Sequence, residues 1–280
     1  MKIAITGATG MLGQALCKAF AKHSIFPLSS RQPDVASLHD VRQKISKLKP
    51  DWILHTAALT RVDEAESNPF EAYRVNALGA RNLAVVAAEN GSRLVYYSTD
   101  YVFDGTQKRS YREWDPTNPL NEYGRSKLAG ECFVRSLCPL HLIVRTSWLF
   151  GSKGSHFVEK ILQLAQVKES LDVVSDQRGS PTFTSDLAYM TLCLVEGKKL
   201  GTYHVTNSGN CSWHELACEI VSLSGLSLQV NPIESSAFST PVRRPANSVL
   251  ENYLLELEGI PLLRTWNSAL EAFLNGASDV

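Results

Sequence analysis

Short apolar runs alternate with segments of helical periodicity along the first half of the chain. The apolar runs predict strands at residues 2–6, 25–28, 51–56, 93–98 and 141–146. Apolar residues three or four positions apart predict helices at 11–22, 37–48, 69–90 and 121–137. Ser37, with Asp40 three positions later, is the expected N-cap of one helix, and Pro69 stands in the first turn of another. Repeated strand–helix units favour a parallel sheet with helices on both faces.

The pattern loosens after about Phe150. Segments rich in Gly, Pro, Ser and Asn (175–183, 206–212 and 235–247) separate shorter helices predicted at 212–224 and 264–274. We expect a dinucleotide-binding Rossmann domain at 1–150 and, at 151–280, mostly a substrate-binding lobe over the ligand edge of the sheet, with some segments returning to that sheet. The predicted fold class is α/β: a Rossmann-type doubly wound parallel sheet with a smaller C-terminal lobe.

Composition narrows the class of protein. Hydrophobic residues make up 44% of the chain and charged residues 20%, which are ordinary globular values. The 28 basic and 28 acidic residues cancel, which gives no support to binding of nucleic acid or a membrane surface. The first apolar run is too short for a signal peptide, no stretch reaches the length of a membrane span, and the six cysteines include no C-x-x-C pair. We expect a cytoplasmic protein with reduced cysteines and, since the histidines lack zinc-binding spacing, no metal site.

A glycine-rich loop joins the first predicted strand to the first predicted helix, with glycines at Gly7, Gly10 and Gly13. Gly7 permits a tight turn, Gly10 lets the backbone approach a pyrophosphate, and Gly13 lets helix and strand pack closely. The helix N-terminus would then face the diphosphate with free N–H groups. The spacing G-x-x-G-x-x-G differs from the usual Rossmann fingerprint and also fits a turn without ligand, but its position in a strand–turn–helix unit favours cofactor binding.

A second motif, Tyr-x-x-x-Lys, lies near the start of the helix predicted at 121–137. Tyr123 and Lys127 are four positions apart and therefore share one helix face. A lysine ammonium and a cationic nicotinamide would lower the tyrosine pKa from about 10, so that the phenol could donate a proton to a carbonyl oxygen near neutral pH. Thr99, after the preceding strand, would offer its hydroxyl to the same oxygen. A surface lysine beside a half-buried tyrosine and a strand-end cap at Thr99 are the structural alternatives.

These motifs resemble the extended branch of the short-chain dehydrogenase/reductase superfamily. More narrowly, the chain resembles the dTDP-4-dehydrorhamnose reductase family over almost its full length. The stretches that carry the resemblance, in the family's order and spacing, are 6–13, 57–66, 98–105, 119–127, 145–148, 176–182, 213–214 and 244–248. The central stretches are much more specific than the glycine loop.

The resemblance implies a reaction and a set of contacts. Hydride would move from NADPH, or alternatively from NADH, to C4 of a 4-keto-6-deoxyhexose attached to dTDP. The product would be dTDP-L-rhamnose. Tyr123 would protonate the new oxyanion, Lys127 would hold the nicotinamide ribose and tune Tyr123, and Thr99 would bind the carbonyl. The family positions that contact the sugar nucleotide match Asp100 and Trp148. The implied cofactor contacts are Gly10, Met11 and Leu12 at the diphosphate, Asp34 and Val35 at the adenine, and Ala57, Ala58 and Leu59 between them.

Four further positions keep more than one interpretation. Trp148 could be a core aromatic, and Trp213 is expected to start a helix and pack rather than bind substrate. Arg244, in a proline-containing loop, suits a diphosphate or carboxylate but could also be a solvated charge. Arg31 follows the second strand, where no carboxylate precedes Asp34. It could pair with a 2′-phosphate, which favours NADPH, or point into solvent, which would leave dual specificity.

Two departures from the family pattern affect expectations about metal and assembly. Some members join protomers through a metal held partly by a glutamate just after the glycine loop, where this chain has Gln14-Ala15. A magnesium-linked dimer is therefore in doubt, and monomer and homodimer both stay open. Leu59 stands where many relatives carry histidine, which changes a contact and leaves the chemistry intact.

Two other functions stay open at this point. A non-catalytic, NADP-binding regulatory protein similar to the beta subunit of methionine adenosyltransferase shares the fold and the Tyr-x-x-x-Lys helix. The stretch Arg145-Thr146-Ser147-Trp148 favours the reductase, because the regulatory relatives diverge there. A sugar-nucleotide epimerase or dehydratase would retain a tightly bound cofactor and is usually longer.

Overall fold

A parallel sheet lies at the centre of the structure, a computed structural model that describes residues 1–29, 33–237 and 242–276. In chain order the strands are β1 (Lys2–Thr6), β2 (Ser24–Leu28), β3 (Trp52–His55), β4 (Arg93–Thr99), β5 (His141–Thr146), β6 (Leu149–Phe150), β7 (Ser170–Val174), β8 (Arg178–Gly179), β9 (Thr182–Phe183), β10 (Gly201–His204), β11 (Cys211–Ser212) and β12 (Gln229–Ile233). The central 6-stranded sheet has the order β2-β1-β3-β4-β5-β10. β2 lies on one side of β1 and β3 on the other, so the strand order reverses direction between β1 and β3. Parallel sheets bind ligands at the carboxyl ends of the strands at such a reversal point.

Helices cover both faces of this sheet. In chain order they are α1 (Met11–Ala19), α2 (Leu38–Leu48), α3 (Val62–Ser67), α4 (Pro69–Ala72), α5 (Gly79–Asn90), α6 (Glu122–Leu137), α7 (Phe157–Ala165), α8 (Thr184–Glu196), α9 (Trp213–Leu223), α10 (Tyr253–Leu257) and α11 (Trp266–Leu274). A π-helical segment, Tyr73–Leu78, joins α4 to α5. Within the described ranges, no helix combines the length and the apolar composition needed to cross a bilayer.

Two apolar layers, one on each side of the sheet, hold the helices in place. On one side, Leu16 of α1 and Leu187 of α8 pack against the strands. On the other side, the packing residues are Ile45 of α2, Leu83 of α5 and Val134 of α6. All five side chains are fully buried, and burial of each stabilises the fold by roughly 1.5–3 kcal/mol. The predicted Rossmann-type sheet, wound on both faces, is confirmed.

A separate apolar cluster joins much of the chain that follows Phe150. It includes Val158 of α7, Ile220 of α9 and Leu270 of α11. The short strand pairs β6–β9, β7–β12 and β8–β11 lie in the same half of the chain. By contrast, β10 pairs with β5, and α8 packs on α1, so these two elements belong to the central sheet and its covering layer.

The elements differ from the sequence pattern at several points. The helix predicted at 11–22 ends at Ala19, where a turn through Phe20 leads into β2. The helix predicted at 69–90 is continuous but includes the π-helical segment. The pattern does not predict α8, because the polar Thr191 lies on its buried side while the aromatic Tyr189 is exposed, which blurs the apolar period.

Candidate active site

The glycine loop meets the loop after β3 at the point where the sheet connections change direction. Gly7 has a φ of +67°, and a Cβ on it would lie 2.7 Å from the backbone nitrogen of Ala57. A Cβ on Gly13 would lie 2.3 Å from the carbonyl oxygen of Gly7. No side chain can occupy either space, so both glycines are needed for the loop to fold between β1 and α1.

The first turn of α1 faces a cavity of about 230 Å³. Its N-cap residue is Gly10, which has no side chain to occupy the N–H groups of that turn. Such N–H groups bind anions, including diphosphates. The sequence-predicted residues that line this cofactor cavity are Gly10, Met11, Leu12, Gly13, Ala58, Tyr123 and Lys127. The cradle therefore fits the diphosphate of a dinucleotide.

Asn76, in the π-helical segment, fixes the loop that follows β3. Its side-chain oxygen accepts the N–H of Leu59 at 2.8 Å, and its amide donates to the carbonyl of Leu59 at 3.1 Å and to Ser126 Oγ at 3.0 Å. Ser126 lies on α6 between Tyr123 and Lys127. Asn76 thus links the cofactor cavity to the candidate catalytic helix. The sequence gives no sign of this role, because the three partners meet only in the folded chain.

The start of α6 places Tyr123 beside the end of β4. Asn121 caps the helix by accepting the N–H of Gly124 at 2.9 Å. A Cβ on Gly124 would lie 2.2 Å from the carbonyl oxygen of Tyr101, so the helix presses directly on the turn after β4. Tyr123 is hydrogen-bonded to Thr99, and its ring meets the Tyr101 ring edge-on at 6.0 Å between centroids. The predicted pair Tyr123 and Thr99 therefore lies together.

Tyr123 is held as a neutral phenol. Burial raises its pKa to about 12, although the hydrogen bond with Thr99 lowers it. This shift is opposite to the lowering of the Tyr123 pKa that the sequence predicts for a site containing a cationic nicotinamide. Here burial raises the pKa by more than the hydrogen bond with Thr99 lowers it. A neutral phenol is the form that can donate a proton.

Thr99 and Asp100 form the end of β4 that faces the site. The Thr99 hydroxyl donates to Asp100 Oδ1 at 3.0 Å and accepts the N–H of Tyr101 at 3.2 Å, so Thr99 is also a strand-end cap. Asp100 is 2% exposed, and its Oδ2 has no hydrogen-bond partner among the described residues. Burial raises the Asp100 pKa to about 7, although hydrogen bonds with Ser248 and Thr99 lower it. Asp100 therefore has hydrogen-bonding capacity left for a ligand.

Lys127 is not a surface lysine. Its side chain is 4% exposed, and its Nζ lies 4.3 Å from the centroid of the Tyr96 ring. Burial lowers the pKa of Lys127 to about 7, although the carboxylate of Glu131 raises it. Because Lys127 also lines the cofactor cavity, its ammonium is available to a ligand there.

A central cavity of about 360 Å³ adjoins the cofactor cavity. Met11 and Tyr123 line both. The sequence-predicted residues around the central cavity are Met11, Thr99, Asp100, Tyr123 and Trp148. Phe157 and Trp213 line the central cavity and also a third cavity of about 270 Å³. Tyr123 thus stands where a cofactor and a second ligand would meet.

Trp148 and Trp213 form a parallel stack at the wall of the central cavity. Their ring centroids are 3.4 Å apart. A Cβ on Gly179 would lie 2.3 Å from Trp148 Cε2, so the indole also lies flat against that glycine. Trp213 is the first residue of α9 and packs on Trp148, and it lines the cavity as well. The sequence predicts the packing of Trp213 and misses its place in the cavity wall.

Arg244 lines the third cavity and is also hydrogen-bonded to Tyr101, whose ring contacts Tyr123. Its guanidinium pairs with Asp63 of α3 at 2.9 Å, so it is not a free solvated charge. Arg244 and Trp213 thus line one cavity together.

The residues predicted at the adenine lie apart from these three cavities. Asp34 pairs with Arg74 at 3.0 Å, and Val35 is buried against Gly79. Both belong to the loop after β2. Arg31, predicted at the 2′-phosphate, lies outside the described residues.

No group of three or more acidic, histidine or cysteine side chains lies together as a metal site in the part of the chain that the structure describes. The six cysteines, among them Cys138 and Cys211 in buried positions, are all free thiols.

The chain is similar to known proteins over nearly its whole length. The family model described as the RmlD substrate binding domain matches residues 1–278. The spore coat polysaccharide biosynthesis protein SpsK of Bacillus subtilis is 40% identical, over 99% of this chain and 98% of that protein. A dTDP-4-dehydrorhamnose reductase of Salmonella typhimurium is 36% identical, over 98% of this chain and 97% of that protein. A crystal structure of dTDP-4-dehydrorhamnose reductase from Bacillus anthracis, in complex with NADP, superimposes with a TM-score of 0.96 at 40% identity and covers 98% of both chains.

Proposed function

The chain belongs to the RmlD substrate binding domain family, and on that premise we propose that it is an NADPH-dependent dTDP-4-dehydrorhamnose reductase. Relatives with that name match along almost the whole chain. The main structural support for this proposal is the position of Tyr123. It is a neutral phenol, hydrogen-bonded to Thr99, and it lines both the cofactor cavity and the central cavity. A proton donor in that position suits reduction of a carbonyl between the two.

The cofactor cavity has the parts that a dinucleotide requires. The uncapped turn at Gly10 offers N–H groups to the diphosphate, and Lys127 offers an ammonium to the nicotinamide ribose. When bound, NADPH supplies the hydride that C4 of the keto sugar accepts. The remaining steps are the work of this chain's own side chains.

Tyr123 and Thr99 would act on the carbonyl oxygen. The Tyr123 hydroxyl can donate to that oxygen while it is still a ketone. The Thr99 proton, which goes to Asp100 Oδ1 in the structure, would have to turn to the same oxygen, and both bonds would then strengthen as negative charge develops on it. As C4 accepts hydride, the O–H bond of Tyr123 breaks and the proton passes to the oxygen, which leaves the alcohol and a phenolate. The ammonium of Lys127 would stabilise that phenolate.

Asp100 and Trp148 would hold the sugar nucleotide. The unpartnered oxygen of Asp100 can bond to a sugar hydroxyl, and the indole of Trp148 offers a flat apolar wall. Arg244, in the third cavity, would reach the diphosphate of dTDP from beyond Trp213. Met11, Leu12, Ala57, Ala58 and Leu59 are proposed along the cofactor, with Asp34 and Val35 toward its adenine.

We also propose that the reaction takes place in the cytoplasm. Free thiols at all six cysteines fit a reducing compartment. A monomer or homodimer would serve, since Tyr123, Lys127 and Thr99 come from a single chain.

The test is to mix purified protein with dTDP-4-keto-L-rhamnose and NADPH, and to follow NADPH absorbance and the sugar product. We expect stoichiometric conversion of NADPH and keto sugar to NADP⁺ and dTDP-L-rhamnose. Protein that binds NADPH but never oxidises it would instead be a regulatory subunit. Sugar conversion with no net consumption of NADPH would indicate an epimerase or dehydratase.

A further inference from the structure

A buried carboxylate lies one helical turn beyond Lys127. Glu131 follows Lys127 on α6 at the same spacing that separates Lys127 from Tyr123, so the three side chains share one face of the helix. Glu131 is 0% exposed. Neither the family resemblance nor the proposed mechanism gives this residue a role.

Arg145, on β5, holds Glu131 in place. Its Nε donates to Glu131 Oε1 and its Nη2 to Glu131 Oε2, both at 2.9 Å, in a two-pronged pair. Its Nη1 donates to the carbonyl of Glu113 at 3.0 Å. Arg135, on α6 and partly exposed, adds a contact to Glu131 Oε2 at 2.5 Å. Glu131 is therefore fixed in position, and the cationic neighbours lower its pKa to about 2 against the effect of burial.

Titratable groups from three elements surround Lys127. Tyr123 and Glu131 share its helix, Tyr96 approaches from β4, and His55 approaches from β3. Burial lowers the pKa of His55 to about 3, with a further contribution from Lys127, so that imidazole is neutral. Glu131 is the charged group that raises the pKa of Lys127.

The groups behind Glu131 are also defined. Besides Arg145 and Arg135, these groups are Glu113, which lies in the loop before α6, and His204, which ends β10. His204 is neutral near pH 7, because burial lowers its pKa to about 3 and Arg145 adds to that effect. The Glu113 side chain accepts the N–H of His204 at 3.1 Å. Glu131 and Arg145 are thus a fixed, buried pair of opposite charges that joins the active-site helix α6 to β5.

We propose that Glu131 is a positioning residue for the reduction, keeping Lys127 as an ammonium that can bind the cofactor ribose, while Arg145 keeps Glu131 ionised and immobile. This rests on the proposed function only for the role of Lys127. A purely structural role explains the pair less well, because an apolar pair of similar volume commonly stabilises a core as well as a buried ion pair does.

The experiment measures the ionisation of Lys127 directly. Protein labelled with carbon-13 at the lysine ε-carbon is titrated by NMR, and the Lys127 resonance is assigned by its absence from Lys127→Arg. In the parent protein we expect this resonance to titrate near the value of about 7. In Glu131→Gln it should titrate about one pH unit lower, since a nearby opposite charge has been removed.

NADPH affinity gives a second measurement. Because the ammonium is the binding form, the dissociation constant should rise as pH increases through the Lys127 pKa. In Glu131→Gln that rise should begin about one pH unit lower. NADPH turnover with the keto sugar is not part of either measurement, so failure of the reductase assignment and failure of this inference are distinguishable.

Two further variants keep the test decisive. Arg135→Gln removes a partly exposed partner of Glu131 and should leave the Lys127 titration unchanged. Glu131→Gln/Arg145→Met removes the whole pair, avoids an unpaired buried arginine, and should still lower the Lys127 titration if the single variant fails to fold. An unchanged Lys127 titration in a folded variant lacking Glu131 would overturn the proposal, whatever the loss of stability.

Discussion

The indole rings of Trp148 and Trp213 are stacked with their planes only 5° from parallel. Trp148 has a φ of +48°, a conformation that non-glycine residues adopt rarely and that often occurs at functional sites. Trp213 begins α9, where Ser212 and Glu215 form a capping box. The wall of the central cavity therefore depends on a helix from the C-terminal half of the chain.

Trp213→Ala should raise the Michaelis constant for the sugar nucleotide while leaving that for NADPH nearly unchanged. An aromatic stack is worth about 0.5–1.5 kcal/mol, which corresponds to a rise of about 2- to 12-fold. Trp148→Ala should change the same constant, and the double variant should show less than the sum of the two effects. Trp114→Ala, which removes an exposed tryptophan packed on Tyr253, is the matched control. An effect confined to NADPH would contradict this role.

Tyr123→Phe should abolish most turnover and leave cofactor binding nearly intact. Only the hydroxyl is lost, and removal of a general acid typically costs about 100- to 10,000-fold. The measurements are steady-state turnover and NADPH binding by fluorescence. Tyr189→Phe is the control, since it removes the hydroxyl of an exposed tyrosine on α8 that lines none of the three cavities. If Tyr123→Phe worked within a few-fold of the parent, the proton donor would have to be another group.

The parts of this site that rest on local spacing could be predicted from the sequence. Gly7 and Gly13 belong to one turn–helix unit, and Tyr123 and Lys127 are one helical turn apart. The relative position of the residues in each pair is therefore set locally and does not depend on distant parts of the chain. Asn76 could not be predicted, because its contacts with Leu59 and Ser126 join segments far apart in sequence. Nothing in a local pattern indicates such a contact.

The charged and buried surroundings of the site residues could not be predicted from the sequence either. The position of Lys127 suggests an ammonium near Tyr123, but its burial against Tyr96 and the compensating effect of Glu131 appear only in the folded structure. The same holds for Asp34, whose pairing with Arg74 spans two separate segments.

Lys127→Ala should weaken both NADPH affinity and turnover. A hydrogen bond to a charged group contributes about 1.5–3 kcal/mol, so affinity should fall by about 10- to 100-fold. Turnover should fall as well, because the phenolate of Tyr123 loses its nearby cation. Arg125→Ala removes an exposed positive charge from the same helix and should change neither quantity by more than a few-fold. Unchanged affinity together with an unchanged pH–rate profile would leave Lys127 without a role.

Asp100→Asn should gain stability relative to the parent as pH rises from about 4 to 7. The pKa of Asp100 is raised from 3.8 to about 7 in the folded protein, so the folded state holds a proton in this range that the unfolded state has lost. The parent therefore loses stability, at up to about 1.4 kcal/mol per pH unit, and the asparagine variant escapes that loss. Urea unfolding at several pH values measures the difference. Asp104→Asn should run parallel to the parent over the same range, because the pKa of Asp104 is lowered to about 2. A constant gap between Asp100→Asn and the parent would show that Asp100 is ionised throughout.

The enzyme should use NADPH at least as well as NADH, and Arg31 should be the residue that favours NADPH. In a Rossmann unit, an acidic residue after the second strand binds the ribose 2′-hydroxyl and repels a 2′-phosphate. Here Ser29, Ser30 and Arg31 follow β2, and no carboxylate precedes Asp34. Asp34 is itself paired with Arg74, which reduces its repulsion of a phosphate. Arg31 can form a bidentate pair with that phosphate.

Arg31→Ala should therefore raise the Michaelis constant for NADPH by about 10-fold or more and spare NADH, since hydrogen bonds to charged groups are worth about 1.5–3 kcal/mol. Steady-state kinetics with each cofactor measure the ratio. Arg42→Ala is the matched control, because it removes an arginine that pairs with Glu89 on the surface and should leave both constants unchanged. A parent enzyme that clearly prefers NADH, or an Arg31 variant equally impaired with both cofactors, would mean that this loop does not recognise the 2′-phosphate.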